Sequence, residues 1–432
     1  MTRTPVAPWL EESHWPTVPI RLVARLGSGH TPSRSMPEYW DNCTVPWITL
    51  ADVWQLRSGT TDVIQETKEK VSTLGLANSA AVKHPAGTVI LSRTASVGYS
   101  AIMGTDMATS QDFATWTCGP KLDPRYLLHC LRAMTPDFKR ISTGSTHKTI
   151  YMPDIEQLRV PVPSTAEQRR IADFLDAETA RMDRLRSSLS RFDGVVRERE
   201  QAVLAQMLHP GAEKPGDSLP NGWKWTPLAH VTDQFRQIMY GIVLPGPNVT
   251  EGVPIIKGGD VAADRLSLGT LNRTTREIES GYARSRVKGG DIVIAIRGSV
   301  GEIAVVPDEL TGANLTQDAA RISVASGISA DWLRLVLESP AVVHQIQQRV
   351  TGATIKGINI WDLKRVLVPT PSLAEQASLA ASVSRSLGTH EALRSRVARH
   401  SALLTERRQA LITAAVTGQI DVSTASGRGI EE

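Results

Sequence analysis

An eight-residue segment that indicates the fold occurs twice, as PVPSTAEQ at residues 161–168 and as PTPSLAEQ at residues 369–376. Six of the eight residues are identical between the two copies, which lie 208 residues apart. In both, a serine followed three residues later by glutamate forms a capping box, in which the hydroxyl accepts from a free amide of the first helical turn and the glutamate reaches back. The segment therefore predicts two long helices that begin alike, in a chain of two similar halves.

The similarity extends over both halves. Residues 87–98 match residues 290–301 with a few residues of slippage, and the glycine turn at 143–148 matches that at 351–356. Short apolar runs between glycines, as in these segments, are typical of buried strands. The helical stretches around them are short, so each half predicts an α/β globular region with an irregular sheet, and the fold class is α+β.

Each globular half is followed by an apolar repeat whose spacing alternates between four and three residues, as in a coiled-coil seam. Such helices are not stable alone, so we expect the two to pack on each other, antiparallel because a globular region lies between them. The predicted seam of the first helix is Ile171, Leu175, Glu178, Met182, Leu185, Leu189, Phe192, Val196, Arg199 and Val203. That of the second is Leu379, Val383, Ser386, His390, Leu393, Val397, His400, Leu404, Arg407 and Leu411.

These patterns predict five segments along the chain. They are a first globular region at residues 1–165, a central helix at 166–210, a second globular region at 211–372, a second helix at 373–418 and a tail at 419–432.

The composition excludes several classes of protein. No apolar run approaches the roughly 18 residues of a membrane span, and the first residues lack the order of a secretory signal, so we expect a cytoplasmic protein. Cys43, Cys118 and Cys130 include no C-x-x-C pair and support neither a disulfide framework nor a zinc site. The net charge of +4 and the isoelectric point of about 9.0 permit nucleic-acid binding without establishing it.

Sequence motifs of a catalytic centre are missing. The chain has no Asn/Asp-Pro-Pro-aromatic tetrapeptide of an adenine amino-methyltransferase, and Gly144–Thr149 fails the spacing of a phosphate-binding loop. Its ten histidines include no H-x-x-x-H pair for a helical metal site. We therefore expect no catalytic, cofactor-binding or metal-binding residue, and no enzymatic activity of the chain itself.

Two diverged halves, each with a P-x-P-S-x-A-E-Q segment and a capped long helix, together with the closing segment Ala414–Val422, resemble the specificity subunits of type I restriction-modification systems. The resemblance covers nearly the whole chain. It implies that each globular half is a target recognition domain that reads one half of a bipartite, asymmetric DNA site, and that the antiparallel coiled coil holds the two apart.

The resemblance also implies the partners. They would be double-stranded DNA, two modification (methyltransferase) subunits and, where the system has them, two restriction (translocase and nuclease) subunits, with no membrane. This chain would hold no cofactor, whereas the partner subunits would use S-adenosylmethionine, ATP and Mg²⁺. It would recognise the DNA site and so direct adenine methylation and restriction by the partner subunits, and it would not catalyse either reaction itself.

Turns that follow strands carry the candidate DNA contacts. An arginine can fork to guanine, serine and threonine can reach phosphate or base, and glycine allows close backbone approach. The alternative is that these are strand-end turns with solvated arginines, and that the two glycine turns only lead into the following strand. The candidate DNA-binding residues are Arg93, Thr94, Ser96, Ser145, Lys148, Tyr240, Arg297, Ser299 and Lys356. Tyr240 is included because it lies early in the second half at a place where the two halves differ, as two readers of different sequences should, and the alternative for it is loop packing.

Four residues of the repeated segment, Glu167, Gln168, Glu375 and Gln376, are interpreted as structural. They would cap the long helices and set their exit direction, with subunit docking as a further role.

Two other functions stay open. One is a helical scaffold that joins protein partners without binding DNA, which salt-independent behaviour toward DNA would favour. The other is a recognition subunit of a modification-only or other phage-defence complex.

Overall fold

The computed structural model describes residues 6–142, 148–262, 264–353 and 355–422. The chain divides into two compact units. Unit 1 comprises Met1–Ser190 and Ala398–Glu432, and unit 2 comprises Arg191–Val397. Each long helix therefore contributes one part to each unit. The five predicted segment boundaries stay a prediction.

Unit 1 is an α/β domain. Its strands are β1 (Thr17–Pro19), β2 (Ala24–Ser28), β3 (Val45–Ile48), β4 (Val63–Ile64), β5 (Glu69–Val71), β6 (Val89–Ser92), β7 (Ser100–Met103), β8 (Ala108–Thr109), β9 (Phe113–Cys118) and β10 (Arg159–Pro161). Its helices are α1 (Thr73–Ala77), α2 (Pro124–Ala133), α3 (Thr135–Ile141), α4 (Met152–Ile155) and the first part of α5 (Thr165–Leu208). The strands form sheets in the orders β2-β9-β6-β7-β4, β5-β3-β8 and β1-β10.

Unit 2 repeats this plan. Its strands are β11 (Lys224–Pro227), β12 (Met239–Tyr240), β13 (Val253–Ile256), β14 (Asn272–Thr274), β15 (Ile292–Ala295), β16 (Ile303–Val305), β17 (Asn314–Leu315), β18 (Ala319–Ile322) and β19 (Leu367–Thr370). Its helices are α6 (Arg276–Ser280), α7 (Ala330–Leu337), α8 (Pro340–Gln348), α9 (Ile360–Lys364) and the first part of α10 (Leu373–Thr417).

The sheets of the two units correspond, except that the edge strand β4 of unit 1 has no counterpart in the four-stranded sheet of unit 2. The order β12-β18-β15-β16 in unit 2 matches β2-β9-β6-β7 in unit 1, and β14-β13-β17 matches β5-β3-β8, including one parallel pair in each. The central strands β6 and β15 are buried along their whole length, as the apolar runs predicted. The internal repeat and the α+β fold class are thus confirmed.

The long helices pack antiparallel in both units, as predicted. In unit 1, Leu175 near the start of α5 shares the apolar core with Val416 near the end of α10. In unit 2, Leu204 near the end of α5 shares the core with Val383 near the start of α10. Both helices lie within two residues of the ranges that the sequence predicts.

The predicted apolar seam is wrong in part. Leu185 is 49% exposed and Phe192 is 45% exposed, although the seam includes both. Near the ends of α5 the buried residues follow at intervals of four, as in Leu204 and Leu208. A straight helix has 3.6 residues per turn and drifts by about 20° per heptad from a strict 3.5-residue repeat, so residues chosen on that repeat leave the buried face.

Ion pairs also connect α5 and α10, away from the apolar contacts near the helix ends. In unit 1, Arg408 of α10 pairs with Asp183 of α5. In unit 2, Arg394 of α10 lies 3.4 Å from Asp193 and 3.3 Å from Glu200 of α5. Within the described part of the chain, no helix is both long enough and apolar enough to cross a membrane.

Candidate nucleic-acid interface

In unit 2, the structure brings together two of the predicted segments. The turn after β15 contains Arg297, Gly298 and Ser299, all exposed. The amide of Gly298 donates to the carbonyl of Lys356 at 3.0 Å, and Arg297 forms a β-bridge with Gly357. Gly298 has a φ of +74°, which favours glycine. We call Arg297–Ser299 together with Lys356 turn site 2.

Unit 1 has the same arrangement after β6. The amide of Ala95 donates to the carbonyl of Lys148 at 2.8 Å, and Thr94 forms a β-bridge with Thr149. Ala95 has a φ of +57°, so this turn keeps the left-handed conformation of its counterpart although the residue is not glycine. We call Thr94–Ser96 together with Lys148 turn site 1. In both units, the turn after the strand is therefore joined by a backbone hydrogen bond to the lysine that ends the glycine segment.

The two arginines of the prediction are not equivalent. The amide of Arg93 donates to the carbonyl of Asp112, just as the amide of Ile296 donates to the carbonyl of Asp318. Arg93 thus corresponds to the buried Ile296, and Thr94 corresponds to Arg297. The guanidinium Nε of Arg93 is buried without a hydrogen-bond partner in the described chain.

Ser145, another predicted contact, lies outside the described residues.

Tyr240 lies on the edge strand β12, where it pairs with Ala320 of β18, and its side chain is exposed. The next residue, Gly241, passes so close to β17 that an added Cβ would lie 1.9 Å from the carbonyl oxygen of Leu315. In unit 1, Gly29 makes the same close approach to Thr109 at 1.9 Å. Tyr240 therefore corresponds to Ser28 of unit 1. Unit 2 has an exposed aromatic ring at this position, and unit 1 has a small hydroxyl side chain.

The glutamines of the repeated segment are buried and fully engaged. The side-chain oxygen of Gln168 accepts from the amide of Asp123, the N-cap of α2, at 2.8 Å. Its amide nitrogen donates to the carbonyls of Lys121 and Pro163, each at 2.9 Å. Gln376 likewise accepts from the amide of Ser329, the N-cap of α7, at 2.8 Å. Each glutamine therefore ties the start of a long helix to the start of a short one.

The glutamates behave differently in the two copies. Glu375 accepts from the amide of Ser372 at 3.0 Å and from its hydroxyl at 2.6 Å, and these hydrogen bonds lower the pKa of Glu375. Glu167 instead pairs with Arg170, while its own amide donates to the Ser164 hydroxyl at 3.2 Å. The reciprocal capping box is complete only at the start of α10.

The described residues contain no group of three or more histidine, cysteine, aspartate or glutamate side chains that could hold a metal ion. The thiols are buried or partly buried, and burial raises the pKa of Cys118 to about 12.

Residues 12–186 match the family model described as the type I restriction modification DNA specificity domain. The chain is 25% identical over 315 residues to the type I restriction enzyme EcoBI specificity subunit of Escherichia coli, a match that covers 69% of this chain and 66% of that protein. It is 28% identical over 163 residues to the MjaIX specificity subunit of Methanocaldococcus jannaschii, with 37% of each chain covered. The matches thus span two thirds or less of these relatives.

A solved structure from work on the complex assembly and conformational transition of the type I restriction-modification system has the same fold. It superimposes with a TM-score of 0.65 at 20% sequence identity, over 94% of this chain and 98% of that one. Residues 12–186 thus match the DNA specificity domain of type I restriction-modification systems, and the chain is similar to a specificity subunit of such a system over 69% of its length.

Proposed function

We propose that the chain recognises a bipartite, asymmetric DNA site, one half through unit 1 and the other through unit 2. The observation that carries this proposal is that both units build the same turn surface with different side chains. Turn site 1 has Thr94 and Ala95 where turn site 2 has Arg297 and Gly298. Two similar readers in one chain suit two half-sites, and different side chains suit different base sequences.

Arg297 is the strongest base-reading candidate, because it is exposed and its turn is anchored to Lys356 through the backbone. An arginine on a fixed turn can donate two hydrogen bonds to the O6 and N7 atoms of guanine. Ser299 and Lys356 beside it suit phosphate contacts, which position the protein on the duplex. In turn site 1, Thr94 lies at the position of Arg297 and Ser96 at the position of Ser299, so this site presents two hydroxyl groups.

The proposed partners are two modification subunits, which would methylate adenine with S-adenosylmethionine, and restriction subunits that would use ATP and Mg²⁺. In this assignment the chain holds no cofactor and acts in the cytoplasm. The assignment of these partners rests on the similarity to specificity subunits.

The proposal is tested by exchanging residues 1–165 for the matching region of a relative with a different site, in a cell that carries the modification subunits. The DNA motif methylated by the exchanged complex should change in one half and keep the other. A motif that changes in both halves would contradict a division of reading between the units. An exchanged chain that assembles its complex but never affects methylation would favour the scaffold function.

A further inference from the structure

Unit 2 contains a cleft of about 700 Å³ that the sequence did not predict. One of its lining residues, Arg236, pairs with Asp291 just before β15, whereas turn site 2 follows the other end of that strand. The cleft and turn site 2 therefore lie at opposite ends of β15. Its cationic lining residues are Arg236, Arg284, Arg286, Lys288 and Arg321.

Arg321 lies beneath this cleft and is 2% exposed. Its guanidinium donates to the carbonyls of Arg284 at 2.7 Å and Arg286 at 2.6 Å, and its Nε has no partner among the described residues. No carboxylate in the described chain lies within 4 Å of it. Burial and the charge of Arg236 lower the pKa of Arg321, while the charges of Asp291 and Asp233 oppose this shift. The five cationic side chains that line the cleft make it attractive to an anion.

These hydrogen bonds also decide which side chains face solvent. The carbonyls of Arg284 and Arg286 point toward Arg321. Along residues 284–288 the side chains alternate between exposed and buried: Ser285 and Val287 are buried, whereas Arg284, Arg286 and Lys288 are exposed. Arg286 is engaged by a buried carboxylate, that of Glu279, at 2.6 Å. Arg284 and Lys288 make no ion pair with a described residue. They are the two cations free to bind a ligand.

An exposed aromatic ring stands beside the cations. Phe235 is 88% exposed, although its backbone is held firmly. The carboxylate of Asp233 accepts from the amides of Phe235 at 2.7 Å and Arg236 at 3.0 Å, and Arg236 in turn forms two hydrogen bonds with Asp291. A ring presented on an ordered loop next to cations suits duplex DNA, since cations contact phosphates while an apolar ring can contact the thymine methyl group in the major groove.

We propose that this cleft binds a backbone phosphate of DNA through Arg284 and Lys288, with Phe235 contacting the neighbouring sugar or base. The inference rests on the proposed function and adds a second DNA-contacting surface to unit 2. Arg321 acts as a positioning residue that holds the segment 284–288 in place. In unit 1, Thr115 takes the place of Arg321, paired with Gly27 as Arg321 is with Met239. The surface is therefore particular to the second reader.

The test is salt-dependent DNA binding by the full chain assembled with its modification subunits, on a duplex that carries its recognised site. The double variant Arg284→Gln/Lys288→Gln should lower the magnitude of the slope of log affinity against log salt by about 1, since one phosphate contact contributes about 0.9. Lys224→Gln, which removes an exposed cation on β11 outside the cleft, should leave the slope unchanged. Phe235→Ala should weaken binding with little change in slope, because the ring carries no charge.

The outcomes separate the inference from the function on which it rests. A double variant with the wild-type slope and the wild-type thermal midpoint overturns the inference, provided that the wild-type complex binds the duplex. A wild-type complex that ignores the duplex contradicts the proposed function instead. If inorganic phosphate raises the thermal midpoint of the wild type but not of the double variant, while the salt slopes are equal, the cleft binds free anions and the assignment to DNA is wrong.

Discussion

Arg297 and Arg93 follow equivalent strands, yet only Arg297 stands exposed on the turn. We expect Arg297→Ala to weaken binding to the specific site by about 1 to 3 kcal/mol, the usual contribution of an arginine that forks to guanine. Binding would be measured at fixed salt for the complex. Arg93→Ala is the comparison variant and should weaken specific binding less than Arg297→Ala does, because the Nε of Arg93 is buried and Arg93 corresponds to the buried Ile296. Unchanged affinity in Arg297→Ala would return this turn to a structural role.

Gln168 shows how one buried side chain can fix the direction of a helix. Gln168→Ala would leave the amide of Asp123 and two carbonyls without their partner, and each buried unsatisfied group costs about 1 to 3 kcal/mol. We expect the free energy of unfolding to fall by about 2 to 4 kcal/mol in urea titration. Glu167→Ala is the control, since its ion pair with Arg170 is on the surface and should cost less than about 1 kcal/mol. Equal losses in the two variants would contradict the proposed clamp.

His129 of α2 gives unit 1 a dependence on pH. Its Nε2 lies 2.7 Å from the Asp176 carboxylate of α5, and Arg125 also pairs with Asp176. Burial lowers the pKa of His129 despite the hydrogen bond that it donates to Asp176, and the charge of Arg132 lowers it further. Burial alone would raise the pKa of Asp176, but hydrogen bonds from His129 and Arg125 lower it. Neutral His129 therefore donates to charged Asp176.

The sign of the effect follows from proton binding. Below pH 6.5 the unfolded chain protonates this histidine before the folded chain does, so stability falls as pH decreases, by at most about 1.4 kcal/mol per pH unit for one proton. Urea unfolding at pH 7.5 and pH 5.5 would measure the loss, and His129→Gln should reduce it. His84 contributes in the same window, because burial and the charge of Arg25 lower its pKa as well. A His129→Gln variant with the full wild-type pH dependence would contradict this assignment.

The sequence predicts the two long helices α5 and α10, but it predicts the contacts between them only in part. The starts of α5 and α10 follow from Ser164 and Ser372, because a cap acts on the first turn of its own helix. The exposure of Leu185 and Phe192 depends instead on where the partner helix lies, which no local pattern specifies. The polar pairs of Arg394 show the same dependence on the partner.

The glycines of the long helices provide a test at the scale of the element. Gly194 of α5 and Gly388 of α10 have open space where a Cβ would stand. Because glycine in a helix interior costs about 0.5 to 1 kcal/mol relative to alanine, Gly194→Ala and Gly388→Ala should each stabilise the chain by that amount in thermal or urea unfolding. Gly75→Ala in α1 is the contrast, since its Cβ would lie 2.6 Å from the carbonyl of Tyr39 and should destabilise. Destabilisation by both long-helix variants would show that these glycines serve close packing.

Sites depended more on tertiary structure than helices did. Arg297 and Lys356 were each predictable from a turn pattern, and the structure joins them through one backbone hydrogen bond. Arg284 and Lys288 gave no such signal, because their display depends on Arg321, which sheet pairing brings beneath them. Distant residues that meet only through strand order have no local pattern to reveal them.

At the scale of the whole chain, the repeat is the most informative feature. The same strand order, the same parallel pair and the same turn surface recur in both units, while the side chains on those surfaces differ. A shared framework with different surface residues is what two readers of different half-sites require. Unit 2 has Tyr240 where unit 1 has Ser28, and Arg321 where unit 1 has Thr115, so the asymmetry extends beyond the turn sites.

The most direct test of two-part recognition is to sequence the methylated bases of a host genome with and without this gene, in the presence of its modification subunits. We expect the gene to be required for methylation of one split motif, made of two short specific blocks separated by a fixed gap. A single uninterrupted motif, or a methylation pattern that is unchanged when the gene is removed from an assembled and active complex, would contradict the account.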